Sequence, residues 1–219
     1  MSYIGKTPTA VPLTSSDITD GIVSNSKLAQ DIISAETELA TAPADTDELL
    51  ISDAGVLKRI DASLIGGGGI TQADQWRITA DVTSNTNPIS SNLERVDGTA
   101  FNYIGTGMSV SSGTWTFPST GIYHVAFTVR GYMSTSDTAS GFIEATTDNS
   151  SYNRVAEATW GQSGSSRSNT ATCETFVDVT DTANVKVRFG TGSMASGTVL
   201  ESDTNYNRTC FTFIRLGDT

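Results

Sequence analysis

The chain has 219 residues, 37% of them hydrophobic and 17% charged, and its net charge is −11 at pH 7. This balance argues against a disordered chain, which combines low hydrophobicity with high charge, and the negative charge argues against a nucleic-acid partner. No apolar run approaches the ~18 residues of a membrane span, and the N-terminus lacks the apolar core of a secretory signal. We therefore expect neither a membrane nor a nucleic-acid partner.

Residues 1–65 form a predicted N-terminal anchoring region that begins with an extended arm and a short helix. Pro8 and Pro12 interrupt residues 1–18, which show no hydrophobic period, so we expect an arm that becomes ordered against a partner. Residues 24–40 contain apolar residues at the intervals of four, three and four that are typical of a coiled-coil seam. These residues are Leu28, Ile32, Ala35 and Leu39. Because only about two heptads exist, an ordinary amphipathic helix is the alternative.

A β-hairpin is predicted over residues 45–65, with strands at 49–52 and 56–60 and the turn at Asp53, Ala54 and Gly55. The acidic residues that precede it suggest a solvated loop rather than a metal site. Four consecutive glycines, residues 66–69, follow the hairpin, and we interpret residues 66–75 as a hinge because glycine imposes no backbone preference.

Residues 76–219 are predicted to be a single all-β domain. Short apolar runs alternate with turns rich in Ser, Thr, Asn and Gly, which is typical of a sandwich or barrel. The predicted strands are 75–79, 93–96, 101–104, 114–117, 122–132, 141–147, 152–160, 170–179, 185–189, 197–200 and 208–216.

The segment from Gly113 to Val129 is the most informative part of this domain. It predicts two strands joined by a tight turn that contains Pro118 and Gly121. Aromatic and β-branched residues occupy every second position from Tyr123 onwards, so we expect the second strand to have one buried face.

Taken in order, these motifs resemble the C1q/TNF-like domain, a jelly roll that assembles as a trimer. The resemblance rests on Tyr103 with the Thr106-Gly107 pair, on the Phe117-to-Tyr123 turn, and on a last strand with Phe211, Phe213 and Leu216. It implies an all-β jelly-roll sandwich and a homotrimer. The last strand lacks the family's usual glycine between aromatics, and the family's calcium ligands have no counterparts here.

The first 65 residues are similar to the N-terminal segments of tail-fibre-type virion proteins of tailed phages of marine bacteria. The similar stretches are MSYIGKTP, SSDITDGIVSNSKLA and DTDELLISDAGVLKRID. The similarity implies a virion-surface location, with residues 1–65 bound to other virion structural proteins and the trimeric domain facing outward.

The inventory of reactive side chains argues against an enzyme. His124 is the only histidine and lies within a predicted strand, so we interpret it as structural. One histidine and two cysteines fall short of a zinc site, and no glycine-rich segment has the context of a phosphate loop. We predict no catalytic residue, no metal and no cofactor. For Cys173 and Cys210, two buried free thiols and a disulfide between neighbouring strands are both consistent with the sequence.

A surface-binding site is predicted in the polar loop 161–169. We expect Trp76 and Trp115 to pack in the core or in the trimer interface, whereas Trp160 adjoins the loop and is the surface candidate. Together with residues 135–140 and 146–151, the loop would form an apex for hydrogen bonding. The candidate binding residues are Trp160, Gln162, Ser165, Arg167 and Asn169.

Together the two resemblances imply a trimeric structural protein on the surface of a tailed phage, and we expect its outward domain to contact a host-surface glycan or protein. A capsid decoration protein that stabilises the head shell is the alternative. A polysaccharide-degrading enzyme that uses carboxylates such as Glu144 or Glu157, and a cellular C1q-like adhesin, are weaker alternatives.

Overall fold

A computed structural model describes residues 14–17, 37, 39–41, 43–44, 46–65, 69–99, 102–164 and 166–219 of the chain. The chain divides into two units, Met1–Gly67 and Gly68–Thr219. The predicted arm and most of the predicted helix lie outside the described residues, and the helix does not extend over Thr37, Leu39 and Ala40. No helix in the described ranges is both long and apolar enough to cross a membrane.

The first unit contains a β-hairpin where the sequence predicts one. Strand β1 is Glu48–Asp53 and strand β2 is Val56–Asp61, paired antiparallel from Glu48 opposite Asp61 to Asp53 opposite Val56. Ala54 and Gly55 form the two-residue turn with φ of 50° and 84°. Two successive positive φ angles are what a type I′ hairpin turn requires, and glycine at its second position relieves the strain.

The described residues of the second unit form eleven strands, β3 to β13. They are β3 (Ala73–Ile78), β4 (Leu93–Arg95), β5 (Ser109–Ser111), β6 (Thr114–Thr116), β7 (Gly121–Met133), β8 (Asp137–Thr146), β9 (Asn153–Gln162), β10 (Arg167–Val179), β11 (Lys186–Gly192), β12 (Thr198–Leu200) and β13 (Cys210–Gly217). These described residues contain no helix, and all the pairings between the strands are antiparallel.

These strands form two sheets that face each other across the core. The first sheet has the order β10-β7-β13-β3-β4, with β12 also paired to β7, and the second has the order β5-β6-β11-β8-β9. The chain crosses between the sheets after β4, β6, β7, β9, β10 and β11, so most neighbours in a sheet are distant in sequence. This double-sheet antiparallel topology is a jelly-roll sandwich, which is the fold class expected from the sequence.

The core between the sheets is dominated by aromatic rings. Trp115 is fully buried and lies 5.1 to 5.8 Å, centroid to centroid, from Trp76, Phe189, Phe211 and Phe213. The expected alternation of β7 is confirmed, because every second residue from Gly121 to Met133 is buried and the residues between them are partly exposed.

The segment from Gly113 to Val129 contains the two expected strands, but they do not pair with each other. β6 lies in the second sheet and β7 in the first, so the turn between them crosses from one sheet to the other. The Tyr123 hydroxyl donates to the Ser119 carbonyl at 3.1 Å and its ring lies 4.7 Å from that of Phe117. The turn is therefore closed by core packing rather than by a strand ladder.

Three further differences concern the presence and the limits of strands. The predicted strand 101–104 is absent from the described residues 102–104, where Ile104 forms a single bridge with Ala73. Strand β5 is absent from the predicted set. Strands β8, β9 and β10 extend into segments that the sequence assigns to loops, because Ser, Thr and Gly there continue the ladders.

Candidate functional site: an outer sheet face and the distal loops

One row of residues runs across the outer face of the first sheet. Register places Phe176 of β10 opposite His124 of β7, His124 opposite Ile214 of β13, and Ile214 opposite Ala73 of β3, which bridges to Ile104. We call these five residues the assembly row. Phe176 is 69% exposed and Ile104 is 45% exposed, so the row carries large apolar groups on the side of the sheet that faces away from the core.

The two ends of the assembly row differ in shape. Phe176 projects from β10, which is the edge strand of the sheet. Near the other end, β3 and β13 enclose a surface depression of about 210 Å³, lined by Ala73, Asp74, Gln75, Thr212, Phe213 and Ile214. A protruding aromatic group and a depression on the same face are features that a head-to-tail contact between copies requires.

His124 is held in this row by contacts with β10. Its Nε2 lies 3.1 Å from Oε2 of Glu174, and its ring centroid lies 5.7 Å from that of Phe176. The described residues contain no group of three or more His, Cys, Asp and Glu side chains that could hold a metal ion. These contacts are consistent with the expected structural role of His124.

A set of loops lies at one end of the jelly roll, and we call residues 134–136, 163–164, 166 and 193–197 the distal loops. They lie together because Arg167 and Thr198 both pair with Met133, and Asp137 pairs with Gln162. The first and last strands of the sandwich are joined at the opposite end, where Ala73 pairs with Ile214.

Hydrogen bonds connect the distal loops to one another. The backbone N–H of Ser134 donates to the Gly197 carbonyl at 3.3 Å, and that of Ser166 donates to the Met133 carbonyl at 2.9 Å. The Thr198 hydroxyl donates to Asp137 Oδ2 at 2.5 Å and lowers the pKa of that carboxyl below its usual range, as does the backbone N–H of Ala195. These loops therefore form a mutually supported polar surface.

The predicted binding residues differ in their exposure to solvent. Trp160 is only 3% exposed and packs in the core, so its interpretation as a surface residue is wrong. Its indole lies against Gly131, where a Cβ atom would come within 1.9 Å of Nε1. The space that a side chain on β7 would fill is thus taken by the ring from β9.

Three other candidates lie at the distal end. Gln162 Nε2 donates to the Met133 carbonyl at 2.7 Å, and Asn169 Nδ2 donates to the Gly161 carbonyl at 2.6 Å, so both side chains support the loop from within. Arg167 is exposed and remains the candidate for contact with a ligand. Ser165 lies outside the described residues. The segment 146–151 lies at the opposite end of the sandwich and does not contribute to the apex.

The chain matches no protein-family model and no curated protein sequence. Among solved structures, Eiger TNF from S. frugiperda is 12% identical to this chain with a TM-score of 0.49. The match covers 69% of this chain and 96% of the Eiger chain. Murine APRIL at pH 5.0 is 10% identical to this chain with a TM-score of 0.47. The match covers 66% of this chain and 99% of the APRIL chain. Since these scores are low, the jelly-roll assignment rests on strand order and register.

Both cysteines are free and buried, which agrees with the alternative of two buried thiols and not with a disulfide between them. Cys173 lies opposite Phe127 and Cys210 opposite Thr128, on the two strands that flank β7. Burial raises the pKa of the Cys173 thiol to about 11 and also raises that of Cys210. Neither group is an activated nucleophile, which requires a lowered pKa.

A buried polar cluster around Asp74 is not among the features predicted from the sequence. This carboxylate is 2% exposed and accepts hydrogen bonds from Trp76 Nε1 at 2.9 Å, Met108 N at 2.7 Å and Arg95 Nε at 3.1 Å. The Arg95 guanidinium also lies 4.4 Å from the centre of the Tyr103 ring. Because all these groups satisfy one another, the cluster joins β3 and β4 to the second sheet and is structural.

Proposed function

We propose that this protein is a homotrimeric structural protein displayed on the surface of a tailed phage particle. In this proposal residues 1–65 attach the chain to other virion structural proteins and the jelly roll projects outward. The distal loops then face a host-surface glycan or protein. The observation that carries the proposal is the assembly row, which exposes Phe176 at one end and a depression of about 210 Å³ near the other.

The row supports a ring rather than a two-fold dimer. In a two-fold contact the same patch meets itself, whereas a projection that enters a depression on the next copy gives a head-to-tail contact, which forms a ring when the rotation between copies closes. The number of copies, three, comes from the resemblance to C1q/TNF-like domains. Further along β7 and β10 on the same outer face, Thr128 and Thr172 hydrogen-bond to each other at 3.0 Å, and Glu174, which pairs with His124, lies between them and the row.

The arrangement of loops and termini supports outward display. The strands that begin and end the jelly roll meet at Ala73 and Ile214, and the distal loops lie at the other end of the sandwich. A ring that is attached through its N-terminal segments would present three copies of the distal loops together. Three weak contacts made at once bind more tightly than one.

The assembly is tested by sedimentation equilibrium of the intact protein over a dilution series. We expect a mass of three 23.0 kDa chains at micromolar concentration. A clean monomer at that concentration would refute the homotrimer.

Location on the particle is tested in virions purified from a phage that encodes this chain. Antibodies against the jelly roll should label the outside of the particle, and labelling of the tail tip at low copy number supports a fibre. Labelling of the head at a copy number similar to that of the capsid subunit would instead support the alternative of a decoration protein. Absence of the chain from virions would refute both.

Ligand contact is tested with a glycan array that includes neutral and anionic bacterial polysaccharides. Arg167→Ala should weaken binding without a change in oligomeric mass, whereas Arg154→Ala, near the opposite end of the sandwich on β9, serves as the matched control. Equal binding by both variants would remove Arg167 from the site. Release of sugar from any polysaccharide by the purified protein would support the enzyme instead.

A further inference from the structure

The β1–β2 hairpin exposes apolar side chains on both of its faces. Leu50 and Leu57 are 73% and 70% exposed on one face, while Leu49, Ile51 and Val56 are 44%, 38% and 58% exposed on the other. A two-stranded hairpin alone is marginally stable in water, because it has no second layer against which to bury such groups. A partner surface is therefore needed to keep this hairpin folded.

The two faces differ in their charges. Register places Leu49 opposite Ile60 and Ile51 opposite Lys58 on the face that also carries Val56, and we call this the apolar hairpin face. Its only charged groups, Lys58 and Asp53, pair with each other at 2.5 Å beside the turn.

The opposite face is more strongly charged. It carries Glu48, Arg59 and Asp61 around Leu50 and Leu57, and Arg59 pairs with Glu48 at 2.6 Å. The apolar hairpin face is therefore the one suited to burial, and the charged face is suited to water.

We propose that the apolar hairpin faces of three copies of this chain pack against one another. This inference rests on the homotrimer proposed above. Ala73 belongs to the assembly row, so a trimer formed through that row brings the first strands of three jelly rolls close together. Strand β2 ends at Asp61, so the eleven residues 62–72 that join it to Ala73 reach at most about 40 Å, which tethers the three hairpins within each other's range.

Both charge and area favour other copies as the occupant. The ion pair on the apolar hairpin face is internal, so identical faces do not repel one another. The exposed apolar area of this face is roughly 250 Å² per hairpin, well below the ~1,200–2,000 Å² of a stable free-standing interface. The hairpins consequently associate only when the jelly rolls hold them at high local concentration. Residues before the hairpin remain available for attachment to the virion.

The test is hydrogen exchange of the full-length protein, with sedimentation of the same samples. We expect amides in β1 and β2 to be protected more than tenfold in the trimer and to lose that protection in Phe176→Ser, which we expect to dissociate. Leu49→Ser/Ile51→Ser should lose hairpin protection while the mass and the protection of the jelly roll stay unchanged. Leu50→Ser/Leu57→Ser is the matched control on the charged face and should retain it.

Several outcomes would overturn the inference while the trimer stands. These are unprotected hairpin amides in the wild-type trimer, equal protection in dissociated Phe176→Ser, or equal loss in both double variants. A wild-type protein that sediments as a monomer throughout would overturn the proposed homotrimer and this inference together. Hairpin protection that appears only after addition of purified virion proteins would assign the apolar hairpin face to attachment instead.

Discussion

Replacement of Phe176 by serine separates assembly from folding. In the single chain 69% of Phe176 is exposed on the outer face of the first sheet, so the change removes few contacts within the chain. In the proposed ring the same phenyl group enters the depression between β3 and β13 of the next copy. We therefore expect Phe176→Ser to weaken the trimer and to leave the jelly roll folded.

The size of the effect follows from the exposed fraction. Full burial of a phenylalanine side chain contributes about 1.5–3 kcal/mol, so burial of the remaining 69% contributes about 1–2 kcal/mol at each interface. A ring of three has three such interfaces, which gives about 3–6 kcal/mol per trimer. At 1.4 kcal/mol for each factor of ten, the dissociation constant of the trimer should rise by about 10² to 10⁴.

Sedimentation equilibrium across a dilution series measures this constant, and urea unfolding of diluted samples checks the fold. Val155→Ser is the matched control, because Val155 is an apolar residue that is 46% exposed on β9 in the second sheet. We expect the control variant to have the same trimer dissociation constant as the wild type. An unchanged dissociation constant for Phe176→Ser, or an equal change in both variants, would refute the role of the assembly row.

Three further predictions concern the interior. Gly131→Ala should destabilise the protein by about 1–3 kcal/mol in urea unfolding, because its Cβ atom would come within 1.9 Å of Trp160 Nε1; unchanged stability would show that the ring moves freely. Asp74→Ala should cost about 3 kcal/mol, since it removes a buried charged acceptor; a change below 1 kcal/mol would contradict the buried cluster. Cys173 and Cys210 should react with a thiol reagent at pH 8 only after unfolding, because burial raises both pKa values; rapid reaction of the native protein would contradict their burial.

Local alternation was sufficient to predict the core strand of this fold. In β7 the side chains at every second position from Tyr123 to Val129 are large and apolar, and period-two alternation depends only on the geometry of one strand. The hairpin was likewise predictable, because Ala54-Gly55 between two apolar runs suits the positive φ angles of its turn. These features are determined by neighbours in the chain.

Long-range packing explains the errors at the candidate site. The polar residues that follow Trp160 predict a surface position for its side chain. In the structure its ring occupies the space above Gly131, which lies 29 positions earlier in the chain. The pairing of β6 with β11, rather than with β7, also depends on residues far along the chain. Segment 146–151 resembles the distal loops in composition, but strand direction puts it at the other end.

The assembly row left a signal in the sequence that alternation can reveal. In β10 the inward positions include Cys173, Val177 and Val179, while the outward ones are Thr, Glu and Asp, except for Phe176. An aromatic residue at an outward position adds nothing to the core of its own chain and exposes apolar surface to water, which favours its burial by another molecule. Ile214 has the same outward position in β13. The alternation of apolar and polar residues identifies the side chains that form the core. Apolar residues at outward positions are the exceptions to it, and they indicate the surface that a partner covers. Only the register between strands shows that these residues form one row.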